Sequence, residues 1–179
     1  GVALTNWKIS NTNMAGGEAN EIKLGWNPQF DGITRLVANP LDLTDVKSLK
    51  VNLNHYFENY ASAISTIGIA TSSNNGTSWN VGWSCGYNET GQYSIEQRIA
   101  TTDMGKDNVL ICIFFEGNSA RFQGWYFDDF IVTVQPNVEI RLNSIDIFDR
   151  IGAGNLNASF TVQNMGVDKI QSFVATYQI

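Results

Sequence analysis

Residues 47–57 read Lys-Ser-Leu-Lys-Val-Asn-Leu-Asn-His-Tyr-Phe. Leu49, Val51, Leu53, His55 and Phe57 fall on one face of an extended chain, and Lys50, Asn52, Asn54 and Tyr56 fall on the other. A period of two marks a half-buried strand, whereas an amphipathic helix would repeat its apolar positions every three to four residues. The runs at 64–72, 93–100, 109–115 and 125–134 are β-rich in the same way and bounded by turn residues. Val-Leu-Ile-Cys-Ile-Phe-Phe, 109–115, is apolar on both faces, as expected of a central strand covered on each side. Turn chemistry separates these runs: Ala-Gly-Gly at 15–17, Asp-Gly at 31–32, Ser-Ser-Asn-Asn-Gly at 72–76 and Glu-Gly-Asn at 116–118. No stretch sustains a capped helical stripe. About a dozen short strands at roughly ten-residue spacing predict an all-β sandwich.

Composition narrows the function classes. The 179 residues are 43% hydrophobic, enough for a core, but only 16% charged, so Asn, Ser, Thr and Gly must make up much of the surface. The net charge is -6, with 11 Lys and Arg spread singly, so nucleic acid is not an expected partner. An anionic membrane surface is not an expected partner on the same ground, and no apolar stretch is long enough to span a bilayer. The sequence opens at Gly1-Val2 without Met or leader, which reads as a mature or trimmed chain. Cys85 and Cys112 show no metal-site spacing; whether they form a disulfide is left open.

A boundary is expected at Gln135-Pro136-Asn137, because proline cannot donate to a ladder and ends the strong strand before it. Residues 1–135 form one domain on this reading. Residues 136–179 hold about four further strands, with a break near Asn143, and are too few for an independent sandwich core. Phe173, Ala175, Tyr177 and Ile179 alternate onto one face at the end of the sequence. The segment therefore reads as the start of a second, Ig-like sandwich, either cut short or completed by another chain.

Asp128 and Asp129 stand out in Trp-Tyr-Phe-Asp-Asp-Phe-Ile-Val-Thr-Val, 125–134. Strand alternation puts them on opposite faces, so one carboxylate sits among bulky apolar neighbours and must be satisfied by a cation or by hydrogen bonds. The same alternation argues against a glycosidase, whose two acids converge across one bond. A nucleophile elbow, a phosphate loop and HExxH are absent from the sequence, so no enzyme is expected. His55, the one histidine, is expected in the core, hydrogen-bonded to a neighbour. The sequons at Asn75, Asn88 and Asn157 are products of Asn- and Ser-rich loops. Trp79, Trp83, Tyr87 and Tyr93 lie close together beside the polar loop 72–78, with Tyr56 and Tyr60 near the neighbouring turn. Sugar-binding modules stack pyranose rings on such side chains. Trp83, Tyr87, Tyr60 and Trp79 are therefore the expected ligand-binding residues, Trp83 and Tyr87 foremost because Cys-Gly-Tyr-Asn-Glu reads as loop.

Residues 7–134 resemble the jelly-roll modules of the cleaved-adhesin, MAM-like and choice-of-anchor group on exported surface proteins of Bacteroidetes. The resemblance is carried by Trp7-Lys-Ile-Ser, Ala15-Gly-Gly-Glu-Ala-Asn-Glu, Arg35-Leu-Val-Ala-Asn-Pro-Leu-Asp-Leu, His55-Tyr-Phe-Glu-Asn-Tyr, Ala70-Thr-Ser-Ser-Asn-Asn-Gly-Thr-Ser-Trp and Gly124-Trp-Tyr-Phe-Asp-Asp-Phe. It implies a jelly-roll sandwich of concanavalin- or galactose-binding-like architecture, with Trp79 at a position that is usually structural. It also implies a structural calcium ion held by an acidic residue of the N-terminal region and an Asp near the last strand. Glu18, Asn20, Glu21 and Asp128 are the corresponding positions, Glu21 matching better than Glu18. The function implied is adhesion: a non-catalytic, secreted or cell-surface module recognising a glycan or a host surface protein. The alternatives are a structural spacer in a stalk, or an accessory domain of a secreted protease or glycosidase. Ligand identity and oligomeric state are not readable from the sequence.

Overall fold

The computed structural model describes residues 4–60, 63–146 and 159–176. It separates into two compact units, Gly1–Val134 and Gln135–Ile179.

In the first unit, two antiparallel sheets are built from nine strands. The five-stranded sheet has the order β1 (Trp7–Ser10), β2 (Glu21–Gly25), β9 (Phe122–Val134), β4 (Leu49–Asn59), β7 (Gly91–Ile99). The four-stranded sheet has the order β3 (Asp31–Val37), β8 (Leu110–Asn118), β5 (Ser65–Ser72), β6 (Asn80–Tyr87). The pairings β2·β9, β3·β8, β4·β7 and β5·β6 nest inside one another, the signature of a long antiparallel ribbon rolled over itself. This chain is thus an all-β jelly roll.

Inward faces of both sheets supply the core. Leu24, Leu53, Phe57, Trp125 and Phe127 of the five-stranded sheet pack with Ile67, Ile113 and Phe115 of the other. A second cluster, around Leu49, Val51, Ile69, Ile99 and Ile111, continues it towards the opposite end. Trp7 ties the layers together: its ring meets Trp125 and Phe127 edge-on, and its Nε1 donates to Thr34 Oγ1 at 2.8 Å. The alternation read at 47–57 is the one observed, with Leu49, Val51, Leu53, His55 and Phe57 all buried.

Strand β9 departs from simple alternation. Asn52 pairs with Ile131 but Asn54 pairs with Asp128, so Leu53 faces two residues, and Asp129 takes a left-handed φ of 52°. This β-bulge reverses the strand's phase. Trp125 and Phe127 point into the core before it, Phe130 and Val132 after it, and Ile131 is turned outward.

The second unit contains the antiparallel pair β10 (Ile140–Asp146) and β11 (Ser159–Asn164). Asn143 is the extra residue at a register shift between Leu142 and Ser144, a bulge through which β10 runs on rather than the break expected there. Residues 170–176, read as a strand from their alternation, join no ladder among the described residues. Alternation specifies a strand only where a neighbouring edge offers its hydrogen bonds. Tyr177 and Ile179 lie outside the described residues.

Cys85 and Cys112 are both free. Cys85 pairs with Ile67 and Cys112 with Ala70, positions that face opposite sides of β5, so the two thiols cannot meet. Burial pushes the Cys112 thiol up to about 12.

Candidate functional site

Strands β2 and β4 run in the same direction on either side of β9, and Gly25 and Glu58 both lie opposite Gly124. The residues that follow, Trp26 and Tyr60, therefore emerge at the same end of the sandwich. The β6–β7 turn at 88–90 and the 3-10 turn Ser119–Arg121 complete that end. Tyr60 N–H donates to the Arg121 carbonyl at 3.0 Å, and Asn59 N–H donates to Thr90 Oγ1 at 3.0 Å. Thr90 Oγ1 returns a bond to the Asn59 carbonyl at 3.2 Å, and Tyr93 Oη donates to the Glu89 carbonyl at 3.3 Å. The loops are thus fixed to one another by bonds between their backbone groups and the Thr90 and Tyr93 hydroxyls. They enclose a shallow depression of about 210 Å³ lined by Asn59, Tyr60, Asn88, Glu89 and Thr90.

Tyr60 is 70% exposed beside that depression. Its neighbours offer an amide, a carboxylate and a hydroxyl, the donors and acceptors that match a polyol. Trp26 is 44% exposed and belongs to none of the core clusters. Asn6, through 2.8 Å bonds from Nδ2 to the carbonyls of Gly25 and Pro28, holds the turn that carries it. The sequence reading did not select Trp26. The available signal was a large aromatic in Gly25-Trp26-Asn27-Pro28, a stretch composed otherwise of turn formers.

The structure does not expose the other expected ligand residues beside this depression. Tyr87 is only 8% exposed; its hydroxyl lies 3.2 Å from His55 Nε2, and burial raises its pKa. This corrects its reading as an exposed platform: Cys85, Gly86 and Tyr87 belong to β6, paired along β5, and not to a loop. Trp83 sits in the same strand and packs half-buried against both core clusters, so its ring fills the core. Trp79 packs on the outer face of the four-stranded sheet, over Ala70, Cys112 and Phe114, and the Arg35 guanidinium lies 5.3 Å from its ring centre. Tyr93 is stacked on His55 at 5.2 Å. His55 is fully buried, as expected, with its Nδ1 unpartnered, and burial lowers its pKa to about 4.

The carboxylates of the calcium expectation lie elsewhere, on the outer face of the five-stranded sheet under the loop 11–20. Glu21 is buried and already committed: Oε1 accepts from Thr12 Oγ1 at 2.5 Å and from Met14 N–H at 2.9 Å, and Oε2 accepts from Ala15 N–H at 2.8 Å. It shapes the loop, and Gln92 fastens the same loop from β7 through a 2.8 Å bond to the Ala15 carbonyl. Glu18 and Asn20 are exposed on it. The expected opposition of Asp128 and Asp129 does not hold, because the bulge turns both towards the loop. A Cβ placed on Gly17 would lie 3.3 Å from Asp128 Oδ2 and 3.9 Å from Asp129 Oδ2. Asn54 Nδ2 donates to Asp129 Oδ2 at 3.1 Å and bridges onward to Ser94. Among the described residues, no three His, Cys, Asp or Glu side chains gather as a metal-binding group. The donors that do meet there, two carboxylates against a glycine-opened backbone, are all oxygen and fit calcium by type.

The chain matches no family model and no curated protein. Among solved structures it is similar to a carbohydrate-binding module of family 61 in complex with β-1,4-galactotriose (14% identity, 74% of this chain and 84% of that one, TM-score 0.43). It is also similar to a family 16 carbohydrate-binding module (12% identity, 71% and 89%, TM-score 0.44). A third is a non-crystalline-cellulose-specific module of family 28 (14% identity, 70% and 79%, TM-score 0.43). No residue role is carried across a likeness at this level.

Proposed function

We propose that this chain is a non-catalytic glycan-binding module whose site is the loop end around Tyr60. One observation carries the reading: an aromatic ring left 70% exposed stands beside a depression lined by Asn59, Asn88, Glu89 and Thr90. A hydrocarbon ring held out to water costs free energy unless something covers it. A pyranose offers an apolar C–H face to the ring and hydroxyls to the amide, carboxylate and hydroxyl around it. The hydrogen bonds that fix the loops to one another mean that little ordering remains to be done on binding. A secreted or surface-displayed parent protein using the module for adhesion fits this reading, with residues 136–179 as the start of a following Ig-like repeat.

Calcium belongs to the same proposal as a structural ion. Asp128 and Asp129 would hold it against the loop backbone at Gly17, with Asn54 bracing Asp129 and Glu21 shaping the loop. Bound there, it would supply positive charge to two adjacent carboxylates and fasten the loop to β9.

The test is a glycan array followed by calorimetric titration of the best hit. Wild type should bind saturably, and Tyr60→Ala should weaken binding about tenfold or more with an unchanged melting temperature. A hit that Tyr60→Ala leaves intact would place the site elsewhere, and silence across the array would favour the spacer.

A further inference from the structure

We infer that Trp26 and Tyr60 are two stacking platforms of a single site, which takes a neutral, linear oligosaccharide longer than a disaccharide. The inference rests on the glycan-binding reading above and adds a second platform and the length and charge class of the ligand.

Three observations point to it. Trp26 and Tyr60 are loop-borne aromatics that no core cluster claims, and both lie at the same end of the sandwich. The register sets the spacing of the strands that carry them: Gly25, Gly124 and Glu58 form one row across β2, β9 and β4, so the backbones leading to the two rings run two strand spacings apart, ~10 Å. Two hexose units of an extended chain cover about the same length, so rings on either side of a central unit can rest on the two aromatics at once. Between them lies Gln123, the extra residue where Glu58 pairs with Gly124 and Asn59 with Phe122. The irregularity leaves Gln123 exposed, an amide set to meet the middle unit.

Charge decides the class. Glu58, Glu89 and Asp31 bring carboxylates to this end, Arg121 brings a guanidinium, and the Lys8 and Lys23 side chains reach Gly25 and Gly124 of the same row, so the end is close to balanced in charge while the chain carries -6 overall. With no cluster of cations to reward a uronate or sulfate and a chain that is acidic overall, an anionic glycan gains nothing here, whereas a neutral one meets hydrogen-bonding groups at no electrostatic cost.

The probes are cello-, manno- and galacto-oligosaccharides of increasing length, titrated calorimetrically against the full chain, with the matching uronates as controls. In the series that binds, affinity should climb steeply past the disaccharide and then level off. Trp26→Ala should cost about tenfold on the longer members and nothing on the monosaccharide, Trp26→Phe should restore most of the loss, and Tyr60→Ala should weaken every member. Circular dichroism and melting of each variant establish that it folds. Equal affinity for short and long members, a Trp26→Ala variant indistinguishable from wild type, or preference for the uronates would overturn this inference and leave the Tyr60 site standing. Failure of every neutral series to bind wild type would remove both.

Discussion

Burial strips His55 of water and leaves Nδ1 without a partner, while Tyr93 stacks on the ring and Tyr87 and Trp125 meet it edge-on. The neutral imidazole fits that aromatic box and the imidazolium does not, so the folded-state pKa falls from 6.5 to about 4. Between those values the unfolded chain binds a proton that the folded chain refuses. Stability is therefore complete above pH 6.5 and is lost as pH falls through the window, by about 3 kcal/mol in all. Urea denaturation at pH 7.5 and pH 5 should show wild type losing most of that amount, whereas His55→Phe should lose far less; parallel curves would refute the assignment. Asp103 shifts stability in the same direction with pH, but by favouring its charged form. Burial pushes its pKa up, but hydrogen bonds from Thr71, Asn80 and Ser73 outweigh this and hold it below the usual carboxylate range, so its contribution fades only in stronger acid. His55 was legible because alternation alone assigns its face. Tyr87 was not, because Cys-Gly-Tyr-Asn-Glu has the composition of a loop and becomes strand only through its pairing with β5. Trp26 was missed for the converse reason: aromatics count as core by default, and nothing local says that a turn holds this one out.

At the scale of elements, alternation predicted which face of β4 is buried, and the unbroken apolar run at 109–115 predicted that β8 is covered on both. Alternation failed at β9, where one additional residue at Asp129 reverses every side chain beyond it. A bulge is a negotiation between two strands, and only one of them is visible in a local window. Strand β5 shows how tightly the layers are fitted. A Cβ on Gly68 would sit 2.4 Å from two Phe114 ring carbons and 2.6 Å from the Trp83 carbonyl, so the ring lies flat against bare backbone. Gly68→Ala must displace both the ring and strand β6, and it should destabilise by about 1–3 kcal/mol or more. Thermal melts of Gly68→Ala and of Gly68→Ala/Phe114→Leu check this. The double variant should recover part of the loss, since one of the two obstacles is gone, and an unchanged melting temperature in the single variant would show that the packing is looser than described.

For the whole molecule, the question is what joins the outer loop 11–20 to the sheet beneath it. Glu21 on β2 holds the loop directly, Gln92 on β7 anchors its backbone, and Asn54 on β4 braces Asp129 of β9. Four of the five strands thus converge on one loop, and Asp128 and Asp129 add two carboxylates at its underside, which accept hydrogen bonds from Asp129 N–H and Asn54 Nδ2 and face Gly17. A calcium ion bound to the folded chain alone, at a hundredfold excess over its Kd, stabilises by about 2.7 kcal/mol. For a domain of this size that corresponds to a rise of about 5–10 °C in melting temperature. Differential scanning calorimetry in calcium and then in EDTA should show that shift in the transition of the first unit, and Asp128→Ala/Asp129→Ala should abolish it. The second unit contributes none of these residues, so any separate transition it gives should stay where it is, which distinguishes a specific ion from a general salt effect. Superimposable endotherms in calcium and EDTA would mean that hydrogen bonds alone close the loop and that Asp128 and Asp129 tolerate one another without an ion.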